Sequence, residues 1–385
     1  MAMCDIRRKS DVMEGITAGL YDRIQVLAED SFTAEDRLRA MEKPLLAWYK
    51  EHARVLPWRE NPQAYRVWIS EIMLQQTRVE AVKPYFERFM KELPAVRNLA
   101  EVEDDRLMKL WEGLGYYSRA RNLKKAAIEI MGRYGGEIPS SYEELIKLPG
   151  IGSYTAGAVA SIAYGIPVPA VDGNVLRVVS RVTGSREDIA KQSVKKKIEE
   201  MIGKVMPPHS VSSYNQGLIE IGAVVCVPNG EPHCKECPLL SVCEAAEKGL
   251  TGEIPVKTGK KARKIEEMTV CLIEWEGKYG IRKRSSQGLL ASLYELPNTG
   301  GYPEGNELLK GFGLDEETAV ITERLPDAKH IFSHVEWHMR GYRIEISGRK
   351  PNGFIFADKD ELKTEYPLPN ALQVYETDKM KIMRW

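Results

Sequence analysis

The sequence has no excess of charge of either sign, since 55 lysine and arginine residues balance 55 aspartate and glutamate residues. A positive field over the whole surface is therefore excluded, and any site for a polyanion must be a local patch. No apolar run approaches the length of about 18 residues that a membrane-spanning helix needs. The first residues also lack the apolar stretch and cleavage site of a secretory signal, so we expect a cytoplasmic protein.

Cysteine is scarce, but its few copies are not scattered. Four of the six cysteines, Cys226, Cys234, Cys237 and Cys243, lie close together. In a reducing compartment such clustering favours metal binding over disulfides. Their spacing is Cys-x7-Cys-x2-Cys-x5-Cys, with one Cys-x-x-Cys knuckle only. This spacing favours an iron-sulfur cluster over zinc, and the neighbouring His233 leaves a zinc Cys/His site as the alternative.

The composition is that of a folded globular protein, with 43% hydrophobic and 29% charged residues. Apolar residues recur at three- and four-residue spacing from about residue 33, which predicts a helical domain. KTGKKARK at 257–264 is short and basic and contains glycine, as linkers often do. The predicted segments are an N-terminal extension at 1–32, an all-helical domain at 33–250, a linker at 251–266 and an α+β domain at 267–385. Within the last, strands are predicted at 268–275, 278–284, 331–347 and 354–360, and helices near 305–311 and 359–364.

A tight hairpin between two short helices is predicted at 141–164. Ser140 and Ser141 stand three residues before Glu143 and Glu144, a capping-box pattern that predicts a helix ending at Leu148. The turn PGIG at 149–152 leads into a helix rich in alanine and glycine, which Gly165 ends. Backbone N–H groups at such a turn suit one phosphate group. Taken alone this is weak evidence, because most Pro-Gly turns in helical proteins are only turns.

The string VDGNVLR at 171–177 follows the hairpin and precedes the cysteines. With these three elements in this order, the chain resembles the helix-hairpin-helix DNA glycosylase superfamily, which includes the endonuclease III-like enzymes. Within it, the chain is most similar to the MutY family of adenine glycosylases. The strings that carry this second resemblance are LPWR at 56–59, WISEIMLQQT at 68–77 and WEGLGYY at 111–117, with GLL at 288–290, ELP at 295–297 and FSH at 332–334.

The resemblance covers roughly residues 38–370 and implies a fold and an activity. The fold would be an all-α helix-hairpin-helix domain with a [4Fe-4S] cluster loop, followed by an α+β, Nudix-like recognition domain. The activity would be base excision repair of duplex DNA, by a bacterial-type monomer that removes adenine mispaired with 8-oxoguanine or guanine. The first cysteine interval is one residue longer than the family's usual one. The metal-binding box of Nudix hydrolases is missing, so we expect recognition without hydrolase activity.

Cleavage of an N-glycosidic bond needs a proton for the leaving base and a negative charge near the sugar. Glu71 lies among apolar residues, which would disfavour its charged form and keep a proton available. Asp172 precedes a predicted helix and would cap it. By resemblance, Glu71 protonates adenine, Asp172 stabilises the sugar cation and Asn174 holds the catalytic groups. Tyr154 stands where bifunctional relatives carry a lysine, which implies an enzyme that leaves an abasic site.

Other site residues are implied by the resemblance alone. The target base must leave the stack, and Gln76 or Leu114 would fill the gap. The expected DNA-binding residues are Gln76, Thr77, Leu114, Tyr116, Gly150, Gly152, Phe332, Ser333 and His334. The expected adenine-binding residues are Trp58, Arg59 and Gln216.

The same residues disfavour three other functions. An endonuclease III-like glycosylase with lyase activity is disfavoured by Tyr154 and by the second domain. A DNA-damage binder without catalysis has no need for both Glu71 and Asp172. A hydrolase of damaged nucleotides would need the missing metal-binding box, and a pyrophosphate-release assay would detect it.

Overall fold

The computed structural model describes residues 32–259 and 262–375. Apart from Phe32, the predicted N-terminal extension lies outside the described residues, as do positions 260 and 261 of the predicted linker. The helices are α1 (Ala34–Ala40), α2 (Glu42–His52), α3 (Ala64–Leu74), α4 (Val79–Glu92), α5 (Val96–Glu101), α6 (Asp104–Leu110), α7 (Ser118–Tyr134), α8 (Tyr142–Leu145), α9 (Ser153–Tyr164), α10 (Gly173–Val182), α11 (Gln192–Val205), α12 (Val211–Val224), α13 (Glu244–Glu247), α14 (Gly305–Gly311) and α15 (Lys359–Thr364). None of these helices is long and apolar enough to cross a membrane.

One compact unit combines residues 169–258 with the described residues up to Ala53. Helices α1, α2 and α10–α13 belong to it, and Leu45, Val179 and Ile202 are among the side chains of its apolar core. Helix α12 approaches α2 closely at Gly217, where a Cβ would lie 3.0 Å from Leu45 Cδ1. The loop that contains the four clustered cysteines, residues 226–243, includes two short 3₁₀ turns, Cys234–Glu236 and Leu240–Val242.

The second unit comprises residues 54–168 and the chain from Gly259 onwards. Its helical part consists of α3–α9, around a core that includes Trp68, Phe86, Phe89 and Trp111. Leu293 from the sheet-containing part is buried in this same core. The α+β part therefore contributes directly to the packing of the helices within this unit.

The sheet consists of β1 (Lys264–Trp275), β2 (Lys278–Lys283), β3 (Tyr294–Glu295), β4 (Asn298–Gly300), β5 (Ala319–Ile331), β6 (Val335–Ile346) and β7 (Ile355–Ala357). The main strand order is β3-β2-β1-β6-β5, with β4 paired to β1 and β7 to β2. Strands β1 and β6 are parallel, and the other pairs are antiparallel. Both faces of β1 are buried, since Val270 and Leu272 enter one core and Cys271 and Ile273 another. Helix α15 packs on the core that contains Val270 and Leu272, and helix α14 packs on the core that contains Cys271 and Ile273.

Most predicted elements of the α+β part are confirmed, including both helices, and two expectations there were wrong. The stretch 331–347 is not one strand, because residues 332–334 form the turn between β5 and β6. Strand β5 was not predicted at all. It lies at the sheet edge, is mostly exposed, contains Pro326 and has two register irregularities, so its sequence lacks the alternation typical of strands.

Candidate active site and DNA-facing loops

Glu71 lies on α3 and is buried, with 7% of its surface exposed. Its helix neighbours Trp68 and Ile72 are buried as well. Tyr154, in the first turn of α9, donates a hydrogen bond from its hydroxyl to Glu71 Oε2 at 2.5 Å. Since α3 and α9 pack together, the carboxyl group is held between two helices that fix its orientation.

The predicted hairpin is present, but its capping box is wrong. Ser141 is the N-cap of α8, yet its hydroxyl donates to Glu143 Oε2 at 2.6 Å instead of accepting from the helix backbone, and the helix ends at Leu145. Helix α9 runs from Ser153 to Tyr164 as predicted. Gly150 has a φ of +77°, and a Cβ there would lie 2.7 Å from Asn122 Cβ, so glycine is required. Gly152 is exposed in extended conformation at the N-cap of α9.

Two loops beside Glu71's helix contain non-glycine residues in the left-handed region. Gln76, just after α3, has a φ of +63°, and Tyr116, just before α7, has a φ of +47°. Both are exposed, whereas Thr77 is half-buried and Leu114 is buried in the helical core. Such strained residues cost about 1–3 kcal/mol each and cluster at functional sites. We name these the Gln76 loop (residues 75–78) and the Tyr116 loop (residues 113–117).

Arg119 connects these two loops and was missed at the level of sequence. Its guanidinium donates to backbone oxygens in both, including Gln75 O at 2.6 Å and Gly115 O at 3.1 Å. The available signal was its position two residues after the WEGLGYY string. An arginine at the start of a helix is usually a solvated surface residue, so sequence reasoning passes over it.

Asp172 caps α10, as predicted from its position. Its Oδ1 accepts hydrogen bonds from the backbone N–H groups of Asn174 and Val175, both at 2.8 Å, and its Oδ2 accepts from Asn174 Nδ2 at 2.8 Å. Burial raises the pKa of the Asp172 carboxyl, although these hydrogen bonds and the charge of Arg177 oppose that shift. Gly222 of α12 leaves room for Asn174, since a Cβ there would lie 2.5 Å from Asn174 Cβ. Asp172 and Asn174 belong to the first compact unit, and Glu71 and Tyr154 to the second.

The three residues expected to bind adenine are also divided between the units. Trp58 and Arg59 lie in the second unit and Gln216 in the first. Trp58 is buried, with its ring edge-on to Phe86 at 5.4 Å. Arg59 is half-buried. Gln216 is half-buried on α12, and its Nε2 donates to Ser212 Oγ at 3.0 Å.

The four clustered cysteines line one cavity of the first unit together with Arg181. All four are free thiols, and Arg181 Nη1 donates to Cys226 Sγ at 3.1 Å. Burial raises the pKa of Cys237 to about 12, so its thiol is neutral unless a cation binds beside it. Among the described residues, no group of three or more His, Cys, Asp or Glu side chains could hold a single metal ion.

The Tyr116 loop lines a cleft of about 570 Å³ together with the turn between β5 and β6. That turn carries the FSH string, with Phe332 half-buried and Ser333 and His334 exposed. The Phe332 ring packs edge-on against Trp337 at 4.8 Å and His330 at 4.6 Å, which fixes its orientation. The structure thus brings Tyr116 and the FSH triplet, more than 200 residues apart in sequence, to one cleft.

Polar contacts join the helical and α+β parts of the second unit beside this cleft. Glu112, which directly precedes the Tyr116 loop, accepts a hydrogen bond from Leu368 N at 2.7 Å. Lys109 pairs with Glu112 at 2.8 Å, with both side chains more than 90% buried, and donates to the backbone oxygen of Leu362. An ion pair between the two parts joins Lys283 of β2 to Asp105 of α6 at 2.7 Å.

Comparisons with known proteins agree with this arrangement. Residues 69–204 match the model of the HhH-GPD superfamily base excision DNA repair proteins, and residues 269–375 match a NUDIX domain model. An adenine DNA glycosylase of Buchnera aphidicola (subsp. Schizaphis graminum) is 33% identical over 304 residues, covering 79% of this chain and 87% of that protein. The adenine DNA glycosylase of Rattus norvegicus is 31% identical over 370 residues, covering 81% of this chain and 72% of that protein.

A solved structure supports the same assignment for the helical part. The structure of a thermostable thymine-DNA glycosylase superposes with a TM-score of 0.50 and 26% identity, covering 55% of this chain and 97% of its own. The expected fold class, a helix-hairpin-helix glycosylase domain followed by an α+β, Nudix-like domain, is confirmed. Because its sequence matches curated relatives over most of both chains, this chain belongs to the adenine DNA glycosylase family of base excision repair enzymes.

Proposed function

We propose that the chain hydrolyses the N-glycosidic bond of adenine mispaired with 8-oxoguanine, or with guanine, in duplex DNA. The observation that carries the proposal is the buried Glu71 carboxyl group held by the Tyr154 hydroxyl. Adenine leaves readily only when it is protonated, and a buried carboxylic acid can deliver that proton. As the proton leaves, Glu71 becomes a carboxylate, and the hydrogen bond from Tyr154 stabilises the new charge.

Asp172 has the second role in this proposal. When the bond to adenine breaks, positive charge develops on the sugar, and a carboxylate beside it lowers the barrier. Burial raises the pKa of the Asp172 carboxyl, and the hydrogen bonds from Asn174 and from the N-terminus of α10 oppose that rise and so favour the ionised form that this role requires. Asn174 therefore acts by holding the carboxylate in one orientation.

We further propose that the enzyme is monofunctional. Strand cleavage by bifunctional relatives requires an amine that forms a Schiff base with the sugar, and the phenol of Tyr154 cannot do this. The product is then an abasic site in an intact strand. Borohydride should trap no covalent complex between the native protein and its DNA, whereas efficient trapping would contradict this part of the proposal.

Recognition of the base opposite adenine is assigned to the cleft at the Tyr116 loop. Phe332, Ser333 and His334 contact 8-oxoguanine there, with Ser333 supplying hydrogen bonds. Gln76 wedges into the base stack near the base opposite adenine, Leu114 and Tyr116 contact that region, and Thr77 helps to recognise the lesion. Leu114 is buried, so its role in filling the gap requires the Tyr116 loop to move on DNA binding.

The remaining contacts complete the substrate site. Trp58, Arg59 and Gln216 are proposed to contact the adenine base. The exposed turn at Gly150 and Gly152 binds one DNA phosphate through the N-terminal N–H groups of α9.

Cys226, Cys234, Cys237 and Cys243 are proposed to hold a [4Fe-4S] cluster. The donor set fits, because the four thiols surround one cavity. Zinc would need all four sulfurs at about 2.3 Å from one point. A cubane cluster takes one thiolate at each of four irons and so accepts a wider spacing of the four sulfurs than a single zinc ion does. Protein purified with its metal should be brown, whereas a colourless, metal-replete protein would overturn this assignment.

The domain limits also remain proposals: a glycosylase domain at 33–250, a linker at 251–266 and a recognition domain at 267–385. We propose that the enzyme acts as a monomer on nucleoid DNA in the cytoplasm of a bacterium. Sedimentation of the protein alone and with duplex DNA would test the monomer.

The decisive experiment is single-turnover release of adenine from duplexes with 8-oxoguanine, guanine or thymine opposite the adenine. The native protein should release adenine only from the first two, and Glu71→Gln should release almost none while still binding the duplex. A native protein that binds the 8-oxoguanine duplex tightly but releases no adenine would instead be a damage-binding protein. A fast release from adenine paired with thymine would contradict the proposed specificity.

A further inference from the structure

Arg119 makes an unusual number of contacts for one side chain. Its guanidinium has six hydrogen-bond acceptors, and five of them are backbone carbonyl oxygens. One nitrogen, Nη1, serves the end of α3, donating to Ile72 O at 2.6 Å and Met73 O at 2.9 Å, and to Gln75 O just beyond it. The carbonyls at a helix C-terminus lack partners within the helix and carry partial negative charge, so a cation is favoured there.

The other nitrogen, Nη2, serves the Tyr116 loop. It donates to Leu114 O at 3.2 Å and Gly115 O at 3.1 Å, and to Thr77 Oγ1 at 3.4 Å. The same guanidinium lies 5.3 Å from the centre of the Trp111 ring and 5.7 Å from that of Tyr116. One planar group therefore holds together the end of the helix that carries Glu71, the Gln76 loop and the Tyr116 loop.

The side chain is buried, with 8% of Arg119 exposed. Burial lowers its pKa to about 10, so it remains charged at neutral pH. Lysine at this position would keep the charge, but its single ammonium group cannot present two nitrogens in the fixed fork that these contacts need. Position 119 therefore requires the planar guanidinium group of arginine and not only a positive charge.

We propose that Arg119 is a positioning residue that sets the Gln76 loop and the Tyr116 loop relative to the catalytic helix α3. The inference rests on the proposed function, since it assigns both loops to the DNA around the flipped adenine. Both loops contain strained residues, and such conformations persist only where surrounding contacts enforce them. Arg119 supplies those contacts, and through it the side chains that contact the lesion are kept in register with Glu71.

The test uses Arg119→Lys and Arg119→Met in the full-length protein. Arg88→Met serves as the matched control, because Arg88 lies in the same unit, covers the Tyr85 ring at 4.7 Å and reaches one backbone oxygen, Leu110 O at 3.5 Å. Each protein is examined by thermal unfolding, by affinity for duplex DNA and by single-turnover adenine release opposite 8-oxoguanine. Extrusion of the base is followed separately with fluorescent 2-aminopurine in place of the target adenine.

In Arg119→Lys, we expect a folded protein with an affinity for undamaged duplex close to that of the native protein. Its adenine release should be slower by about a hundredfold, the cost of a small misplacement of reacting groups, and its 2-aminopurine signal should be slower or smaller. Arg119→Met should release adenine more slowly than Arg119→Lys and should give a slower or smaller 2-aminopurine signal. A purely structural role would lower the melting temperature without changing extrusion well below that temperature.

The inference is overturned if Arg119→Lys extrudes and releases at native rates. It is also overturned if Arg88→Met loses as much activity as the Arg119 variants, because the effect would then be general. If the native protein releases no adenine at all, the proposed function fails instead. The 2-aminopurine signal would still decide whether Arg119 positions the loops.

Discussion

The hydrogen bond between Tyr154 and Glu71 gives a sharp prediction for Tyr154→Phe. The substitution removes the hydroxyl that donates to Glu71 Oε2 at 2.5 Å and leaves the ring that packs in the first turn of α9. In the proposed mechanism, Glu71 is uncharged before it protonates adenine and charged afterwards. The bond therefore strengthens as the transition state is approached, and its loss should lower the rate more than the affinity.

The size of the effect follows from the type of bond. A hydrogen bond to a charged group contributes about 1.5–3 kcal/mol. If most of this is expressed in the transition state, adenine release should slow by roughly 10- to 150-fold, since about 1.4 kcal/mol corresponds to a factor of ten. Binding of the mispaired duplex should change little, because the hydroxyl is assigned no contact with DNA.

The assay is single-turnover adenine release opposite 8-oxoguanine, with affinity measured on the same duplex. Tyr134→Phe is the control, because Tyr134 donates an equivalent hydrogen bond, to Glu144 Oε2 at 2.6 Å, elsewhere in the same unit. A Tyr154→Phe enzyme that releases adenine within twofold of the native rate would refute the reasoning. Equal losses in both variants would show that the effect is not specific to Glu71.

Three further predictions concern other parts of the chain. Asn174→Ala removes a hydrogen bond that lowers the pKa of Asp172, so the pKa rises further and the acidic limb of the pH–rate profile should move to higher pH. Glu112→Ala leaves Lys109 buried without this partner and should destabilise the protein by about 3–5 kcal/mol in urea unfolding, and adding Lys109→Met should recover part of that loss. Gly150→Ala forces a side chain into the left-handed region at a cost of about 1–2 kcal/mol and should weaken binding of duplex DNA.

Each of these has an outcome that contradicts it. For Asn174→Ala, a pH–rate profile that keeps its shape and falls only in height would disprove the link to Asp172. For Glu112→Ala, full stability without the second substitution would mean that the buried pair contributes nothing. Gly249→Ala is the control for Gly150, since Gly249 has a φ of +68° but open space around it, and equal DNA affinity in the two variants would contradict the assigned role of the hairpin.

Local features of the fold could be predicted from sequence because short-range interactions decide them. Helix α9 begins and ends where predicted, since a Pro-Gly turn precedes it and Gly165 adopts the left-handed conformation that ends it. Asp172 caps α10 for a similar reason. The predicted capping box at Ser141 was wrong because the Ser141 hydroxyl donates to the Glu143 carboxylate instead. The sequence pattern does not show which of these two hydrogen bonds forms.

Strand β5 could not be predicted, because an exposed edge strand has little apolar alternation. The FSH string was assigned to a strand because its neighbours are strand-like, whereas it forms the turn that reaches the cleft. The role of Arg119 could not be predicted from its position after the WEGLGYY string alone, because three of its acceptors lie 44 to 47 residues away on the chain.

The sequence by itself determined the helical and mixed parts of the chain, the hairpin, the clustered cysteines and the family, since each depends on local spacing or on strings of consecutive residues. Only the tertiary structure decided that Tyr154 bonds to Glu71 across 83 residues, that Leu114 is buried while Tyr116 is exposed, and that Arg119 joins two loops. The physical reason is that a side chain's partners are chosen by the packing of whole elements. Hydrogen bonds and burial between distant segments exist only once that packing has formed.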